Sequence, residues 1–535
     1  MMTHTEITMK HRPIRLAATL ALTALTALTL GAAQAKTLRF ADQGDAISMD
    51  PHSLNETLQL TFTGAVYEPL VLRDRKLAVT PGLATEWKQT SPTSWQFKLR
   101  RGVTFHDGQP FTADDVVFSI GRANDPGGDM RGYVGQIKEV RKLDDYTVEM
   151  VTTVPLPILP EMLTGVYMMS KAWCEANGAA KPVDKRKGLE NSASVRANGT
   201  GPYRLRSREP AVRTVLVRNQ NYWDKVDGNV TEVVFTPIGN DATRVAALKS
   251  GEIDLMQPVP IQDVERLKQD PNLRIMQGPE LRTIFLGMDS KRDELLFSNV
   301  KGKNPFKDRR VRQAFFQAID IEAIRTRIMR NAATPTNLMI APGVNGFDAA
   351  LNKRLPYDVE ASRKLLAEAG YPNGFEVKMN CPNDRYVNDG EICQAVAAML
   401  ARVGVKINLE AESKATYFPK VLSRNTSFYL LGWTPATYDA HNVMYNIMAT
   451  PQAGQGVFNL GSYSNPKFDE LAARIGSETD QARRSAMIAE AMKLHAEEFG
   501  HIPLHQQALA WGMRKNVEVV QLADNFVFFK WITIR

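Results

Sequence analysis

The stretch SWQFKLRRGVTFHDGQPFTADDVVFSI, Ser94 to Ile120, decides how this chain is read. Trp95, Phe97 and Leu99 alternate with polar or basic neighbours, the period-two pattern of a half-buried strand. His106, Asp107 and Gly108, followed by Pro110, predict a tight turn. Thr112 then opens a helix: its hydroxyl can accept a first-turn amide, Asp114 and Asp115 suit the positive end of the helix dipole, and Val116, Val117 and Ile120 form an apolar face.

As a string, this segment closely resembles the signature of the extracellular solute-binding protein family 5, the dipeptide- and oligopeptide-binding type of receptor that serves ABC importers. The resemblance rests on Leu99, Arg100, Gly102, Val103, Phe105, His106, Gly108, Thr112, Ala113, Asp114, Asp115 and Val116. It continues at Met49-Asp50-Pro51, at Gly199 to Tyr203, at Asn221-Tyr222-Trp223 and at Gly432-Trp433, and so covers almost the whole chain. These matches mark a scaffold, and no binding role falls on His106. The resemblance implies an α/β, two-lobed periplasmic binding protein fold (type II, cluster C) with an extra subdomain in the first lobe and two hinge strands.

Working outward to the start, Lys10, Arg12 and Arg15 precede an apolar run from Leu16 to Leu30, then small residues and Ala33-Gln34-Ala35. The run is shorter than the roughly 20 residues of a membrane-spanning helix and ends in an A-x-A cleavage pattern, so residues 1–35 read as a secretory signal and the mature protein as periplasmic. No cysteine follows the cleavage site, which argues against a lipoprotein anchor. About 500 of the 535 residues remain, 44% of the whole being hydrophobic, enough for large cores and two to four compact units. The formal charge falls from +8 to about +6 without the leader, and no long Lys/Arg run stands out; this leans toward anionic small ligands and away from nucleic acid. Cys174, Cys381 and Cys393 are an odd set; a Cys381–Cys393 bridge is one reading, buried free thiols the favoured one.

Two segments read as strand-helix-strand units. Residues 231–238 form an apolar strand, Asn240 or Asp241 caps a helix through Leu248, and Gly251 stops it before Ile253 to Met256. Residues 375–379, the helix of Ile392, Val396, Met399, Leu400 and Val403, a stop at Gly404 and residues 405–409 repeat the pattern. Each implies parallel strands with a crevice beyond their carboxyl ends, hence two α/β lobes. Residues 284–289 and 501–505 are extended runs that, by the resemblance, serve as the hinge strands. The first lobe is then 36–285 plus 505–535, with an inserted subdomain over about 67–195, and the second lobe is 286–504.

The ligand chemistry is sought at the crevice. Residues 381–389 lie between a strand and a helix N-terminus, where backbone amides and Arg385 could converge on an anion. By resemblance, Arg385 sits where dipeptide-binding relatives place the arginine for the ligand carboxylate, and Gln43, Gly44 and Asp45 sit in a cleft-lining loop. Trp433 offers a planar apolar wall. Peptide-binding members carry an aspartate three residues after this tryptophan for the ligand's free amine; here that position is Ala436, so ordinary free-amine peptides become doubtful ligands. Asp439 is a substitute anion, with helix capping as its alternative role, while Tyr417 and Tyr438 are aromatic candidates for the cleft and His441 a candidate contact to a metal chelate.

Catalysis finds little support. There is no G-x-S-x-G elbow or Walker A loop, and the S-x-x-K strings at 298–301 and 464–467 lack their companion motifs. His501 and His505 are four apart, but Pro503 argues against a helix and no further metal ligands are evident. The expectation is a monomeric, non-enzymatic receptor without cofactor, capturing a peptide-like or other carboxylate-bearing small solute for an ABC permease and ATPase complex. Binding of a metal chelate or other non-peptide solute, a hydrolase on the same scaffold, and docking on a sensor protein are the alternatives.

Overall fold

Alternation at Trp95, Phe97 and Leu99 produces the strand Ser94–Leu99, with all three side chains buried. It lies inside a four-stranded antiparallel sheet, in the order Ala84–Ser91, Ser94–Leu99, Thr147–Thr152, Ile137–Asp144. Trp95 stands opposite Met150 and Phe97 opposite Val148. After the turn, Thr112 caps the helix Ala113–Ala123, and the Asp115 carboxylate accepts the Thr112 backbone N–H at 3.0 Å. Val116 and Ile120 join the core of the sheet. This sheet and helix fall within the span, about 67–195, expected for the inserted subdomain.

The computed structural model describes Met1 and residues 36–452 and 454–535; apart from Met1, the secretory leader expected over 1–35 lies outside the described residues. Met1–Lys36 and Thr37–Arg535 are separate units, and the sheets, cores and cavities all belong to the second. Among the described residues, no helix is long and apolar enough to cross a membrane.

Among the described residues, the main sheet has eleven strands. Ten form a path, Tyr203–Glu209, Arg213–Arg218, Glu232–Pro237, Thr37–Asp42, Leu255–Gln257, Ile502–Arg514, Leu273–Met288, Phe428–Trp433, Glu376–Pro382, Lys406–Glu412, and the eleventh, Ala333–Pro335, pairs off it with Ile502–Arg514. Thr37–Asp42 pairs in parallel with both Glu232–Pro237 and Leu255–Gln257, so the helix Asp241–Ser250 crosses over the inserted first strand. On the other side, Glu376–Pro382 and Lys406–Glu412 run in parallel, joined by the helix Asp389–Ala401. Gly404, at φ +85°, ends that crossover in the left-handed region, and Gly251, at φ +82°, ends the first.

The long antiparallel strands Leu273–Met288 and Ile502–Arg514 join the two lobes. Each starts in one core and ends in another: Ile502 and Leu504 pack with Phe306, Phe315 and Phe428, whereas Leu509, Trp511 and Met513 pack with Leu38, Phe40 and Leu255. Two strands thus run from one core into the other.

One expectation is corrected. Cys381 and Cys393 form a disulfide, with Cα atoms 6.6 Å apart, and Cys174 alone is free and buried. Cys381 ends a strand and Cys393 lies on the inner face of the following helix, so the crossover itself brings the two sulfurs together.

Candidate functional site

The loop between strand Glu376–Pro382 and helix Asp389–Ala401 is shaped by its own helix start. The Asp389 carboxylate accepts the backbone N–H groups of Arg385 and Tyr386 at 2.9 and 2.8 Å, and that of Gly390 at 3.0 Å. Burial raises the Asp389 carboxyl to about 7, against the pull of these amides. The sequence pattern offers these amides to a ligand anion; in the fold they are taken up by Asp389, which leaves the Arg385 side chain as the group presented outward.

Arg385 meets residues from the far side of the cleft. Its Nε lies 2.9 Å from Glu56 Oε1, and Lys414 Nζ lies 3.7 Å from Glu56 Oε2. Glu56 caps the helix Thr57–Val66 through the Gln59 N–H at 2.8 Å. Burial pushes this carboxyl up, but Arg385, Lys414 and the helix amides outweigh it and hold the group at about 2. The η edge of Arg385 makes one long contact, 3.5 Å to Thr57 Oγ1. Nearby, Arg282 pairs with Glu280 at 2.8 Å and donates to Thr57 Oγ1 at 3.0 Å.

These residues border a connected set of cavities. One is charged, lined by Asp42, Gln43, Glu56, Asp384, Arg385 and Lys414 among others. A second shares Glu56, Thr57 and Arg385 with it and is walled by Tyr133, Tyr386, Phe418, Trp433, Phe458 and Phe526. A third shares Tyr133, Ala436, Asp524 and Phe526 with the second and extends between Leu60, Leu72, Tyr167 and Phe528, with Arg73 on its wall. A charged end thus leads into an aromatic middle and an apolar far end, a shape suited to one small molecule with few polar anchors.

The predicted residues divide. Arg385, Trp433 and Gln43 border the cavities. Trp433 is held flat by its Nε1–H to Asn442 Oδ1 at 2.9 Å and by Phe458 at 4.9 Å. Gln43 donates to the Tyr386 carbonyl at 3.3 Å, linking the two sides. Gly44 is a close approach: a Cβ there would stand 2.8 Å from Lys414 Cε.

The others are drawn elsewhere. Asp45 pairs with Arg208 at 3.2 Å and accepts the Ala211 N–H. Asp439 cannot replace the missing acid at Ala436, because its two oxygens bind Arg484 at 2.7 Å each and also accept from Asn345 and the His441 N–H. Tyr417 is fully buried with its hydroxyl on the Leu430 carbonyl at 2.6 Å; its neighbour Phe418 faces the cavity instead. His441 is 1% exposed and stacked on Tyr445, so it loses its candidate contact to a chelate. Tyr438 borders none of the three cavities directly; its hydroxyl donates to Asp524, which does. Among the described residues, no group of three or more His, Cys, Asp or Glu is placed to hold a metal ion.

Sequence reasoning missed Glu56, Lys414, Arg282, Tyr133 and Asp524. Only Glu56 carried a local signal, an acid just before the apolar helix 57–66. The rest belong to this site through long-range pairing alone.

Comparison with known proteins adds to this geometry. Residues 78–455 match the family profile described as "Bacterial extracellular solute-binding proteins, family 5 Middle". The glutathione-binding protein GsiB of Shigella dysenteriae serotype 1 is 25% identical over 517 residues, covering 95% of this chain and 96% of that protein. GsiB of Escherichia coli strain K12 is 25% identical over 480 residues, 88% of this chain and 89% of the relative. Among solved structures, the periplasmic binding protein DppA of Helicobacter pylori, in complex with the peptide STSA, aligns with a TM-score of 0.82 at 24% identity, over 94% of this chain and 98% of that one. AgaA of A. tumefaciens R10, in complex with agropinic acid, aligns with a TM-score of 0.82 at 22% identity, over 93% and 99%.

Proposed function

Because the chain belongs to the bacterial extracellular solute-binding proteins of family 5, we propose that it is the periplasmic capture component of an ABC importer. It takes up a peptide-like or other carboxylate-bearing small solute between its lobes and hands it to a permease and ATPase complex. The lobes are 36–285 with 505–535, and 286–504, working as a monomer without catalytic activity or cofactor.

The observation that carries this reading is Arg385. Its backbone N–H is held by Asp389, its Nε lies 2.9 Å from Glu56, and the residue borders both the charged and the aromatic cavity. A carboxylate entering there gains charge-assisted hydrogen bonds from a preorganised guanidinium, with Trp433 as the flat wall beside it. Lys414, 3.7 Å from Glu56 Oε2, is a second cation on the same carboxylate. The names of the relatives, which bind glutathione, peptides and an opine acid, fit a solute of this size and charge.

A thermal-shift screen of the mature protein against peptides, glutathione, opine acids and metal chelates tests the proposal. A ligand at a hundred times its Kd adds about 2.7 kcal/mol, enough to move Tm by several degrees. Carboxylate-bearing solutes should give the large shifts; a response confined to metal chelates would overturn the assignment.

A further inference from the structure

We propose that the segment expected as the inserted subdomain, about 67–195, is the end wall of the solute cavity, and that its seat on the second lobe sets the greatest length of solute the receptor accepts. This rests on the reading of a carboxylate-bearing solute held between the lobes and adds where the other end of that solute must stop.

Separate contacts form the seat. The Arg73 guanidinium donates to the Thr437 carbonyl at 3.2 Å and lies over the Tyr438 ring at 4.7 Å. Ala436 packs against the apolar core of the segment, the core that holds Phe97, Phe111 and Val116. Gly132, in the short helix Arg131–Val134, approaches the second lobe so closely that a Cβ there would stand 1.8 Å from Asn446 Oδ1. Gly135, just past that helix, meets Gly454, whose Cα would lie 2.9 Å from an added Cβ. Neither glycine has a positive φ, so what the missing side chains serve is the approach of the two surfaces.

Tyr133, between these glycines, borders both the aromatic and the apolar cavity. Its ring is 2% exposed, and its hydroxyl accepts the Asn55 amide at 3.1 Å. The Asn442 side chain hydrogen-bonds to the same hydroxyl and also holds the Trp433 indole N–H. One ring thus ties the first lobe, the inserted segment and the second lobe together at the edge of the cavity.

The same segment supplies much of the apolar cavity, where Leu72, Leu77, Thr164, Gly165 and Tyr167 stand with Tyr133. Arg385 is at the opposite end, on the charged and aromatic cavities. A solute gripped there by its carboxylate runs toward the inserted segment, and its far end meets the wall. A longer solute fits only if Gly132 lifts off Asn446, which gives up close packing and the Tyr133 bridge together.

Isothermal titration of the mature protein with glutathione and with alanine peptides tests this, the peptides being lengthened one residue at a time at the amino end from dipeptide to octapeptide. Wild-type affinity should fall by about tenfold or more at one step of the series and stay low beyond it. Gly132→Val cannot seat against Asn446; it should weaken the short members by a similar factor and erase the step, so that short and long peptides bind alike. Tyr133→Phe keeps the ring and removes only the bridging hydroxyl, and should weaken the short members while leaving the step where it is. Wild-type affinity that does not depend on length would overturn the inference and leave the carboxylate reading intact, and that comparison needs no variant to fold. Short members unweakened by Gly132→Val, with the step unmoved, would also overturn it. If neither glutathione nor any peptide binds, the inference falls together with the carboxylate reading.

Discussion

At the scale of single residues, the site and its scaffold use the same chemistry for opposite ends. Arg484 and Asp439 are both buried and doubly hydrogen-bonded to each other, far from any need for a ligand. Removing one partner leaves a buried charge alone, so Arg484→Ala should destabilise by about 3–5 kcal/mol in chemical denaturation while the folded fraction keeps its ligand affinity. A loss of affinity without a loss of stability would return Asp439 to the binding site. Arg385 was singled out because the family resemblance sets it where relatives carry an arginine for the ligand carboxylate; its place between a strand and a helix start only allowed that role. The partner Glu56 stands more than three hundred residues away in the chain, and nothing in the spacing connects them. The same holds for Asp439: an acid beside an empty anchor position reads as its substitute until Arg484 is brought to it by the fold.

At the scale of elements, the second crossover is both scaffold and clamp. The disulfide between Cys381 and Cys393 closes a ring that contains Arg385, Tyr386 and Asp389. Constraining so short a loop should stabilise the protein by about 2–4 kcal/mol. The paired change Cys381→Ser with Cys393→Ser should therefore lower Tm and also weaken ligand binding, since the Arg385 loop gains freedom that binding must remove. Calorimetry and titration of the variant check both; unchanged affinity would mean that Asp389 alone positions the loop. The strands and helices of both crossovers were readable from apolar runs ended by Gly251 and Gly404. The disulfide was not, because an odd cysteine count does not say which pair the fold brings together. The π-helical turns Ile324–Ile328 and Met444–Met448 left no pattern in the sequence either, as a π turn arises from packing and not from a repeat.

At the scale of the whole molecule, buried histidines make the fold sensitive to mild acid. Burial lowers His52, His106 and His441 to about 4, His501 and His505 to about 3, and His495 well below its usual value. In the unfolded chain these groups take up protons as pH falls through 6.5, while the folded protein excludes them. The histidine contribution is thus full above about pH 6.5 and declines as pH drops toward 4, by up to about 1.4 kcal/mol per pH unit for each histidine involved, offset in part by Asp389 and Asp129, whose buried carboxyls, raised to about 7, favour the folded state as pH falls through the same window. Glu56 adds its own loss only below its unfolded value of 4.5, as pH approaches 2. Denaturation midpoints measured from pH 7.5 to 4.5 should fall steadily; a flat profile would show that the histidines are wetter than their burial implies. The two-lobed plan was the most legible level of all, because it is written in repeated strand-helix-strand units and a long family string. The cavity's charge pattern was the least, since it is assembled from segments as far apart in the chain as Asp42 and Asp524.

The central claim is that Arg385 receives the carboxylate of a small solute held between the lobes, and titration of wild type and Arg385→Ala with the solute giving the largest thermal shift tests it most directly. Loss of charge-assisted hydrogen bonds worth about 1.5–3 kcal/mol predicts affinity lower by about 10- to 100-fold, with the C-amidated solute binding both proteins equally weakly. Undiminished affinity of Arg385→Ala for the free carboxylate would contradict the account.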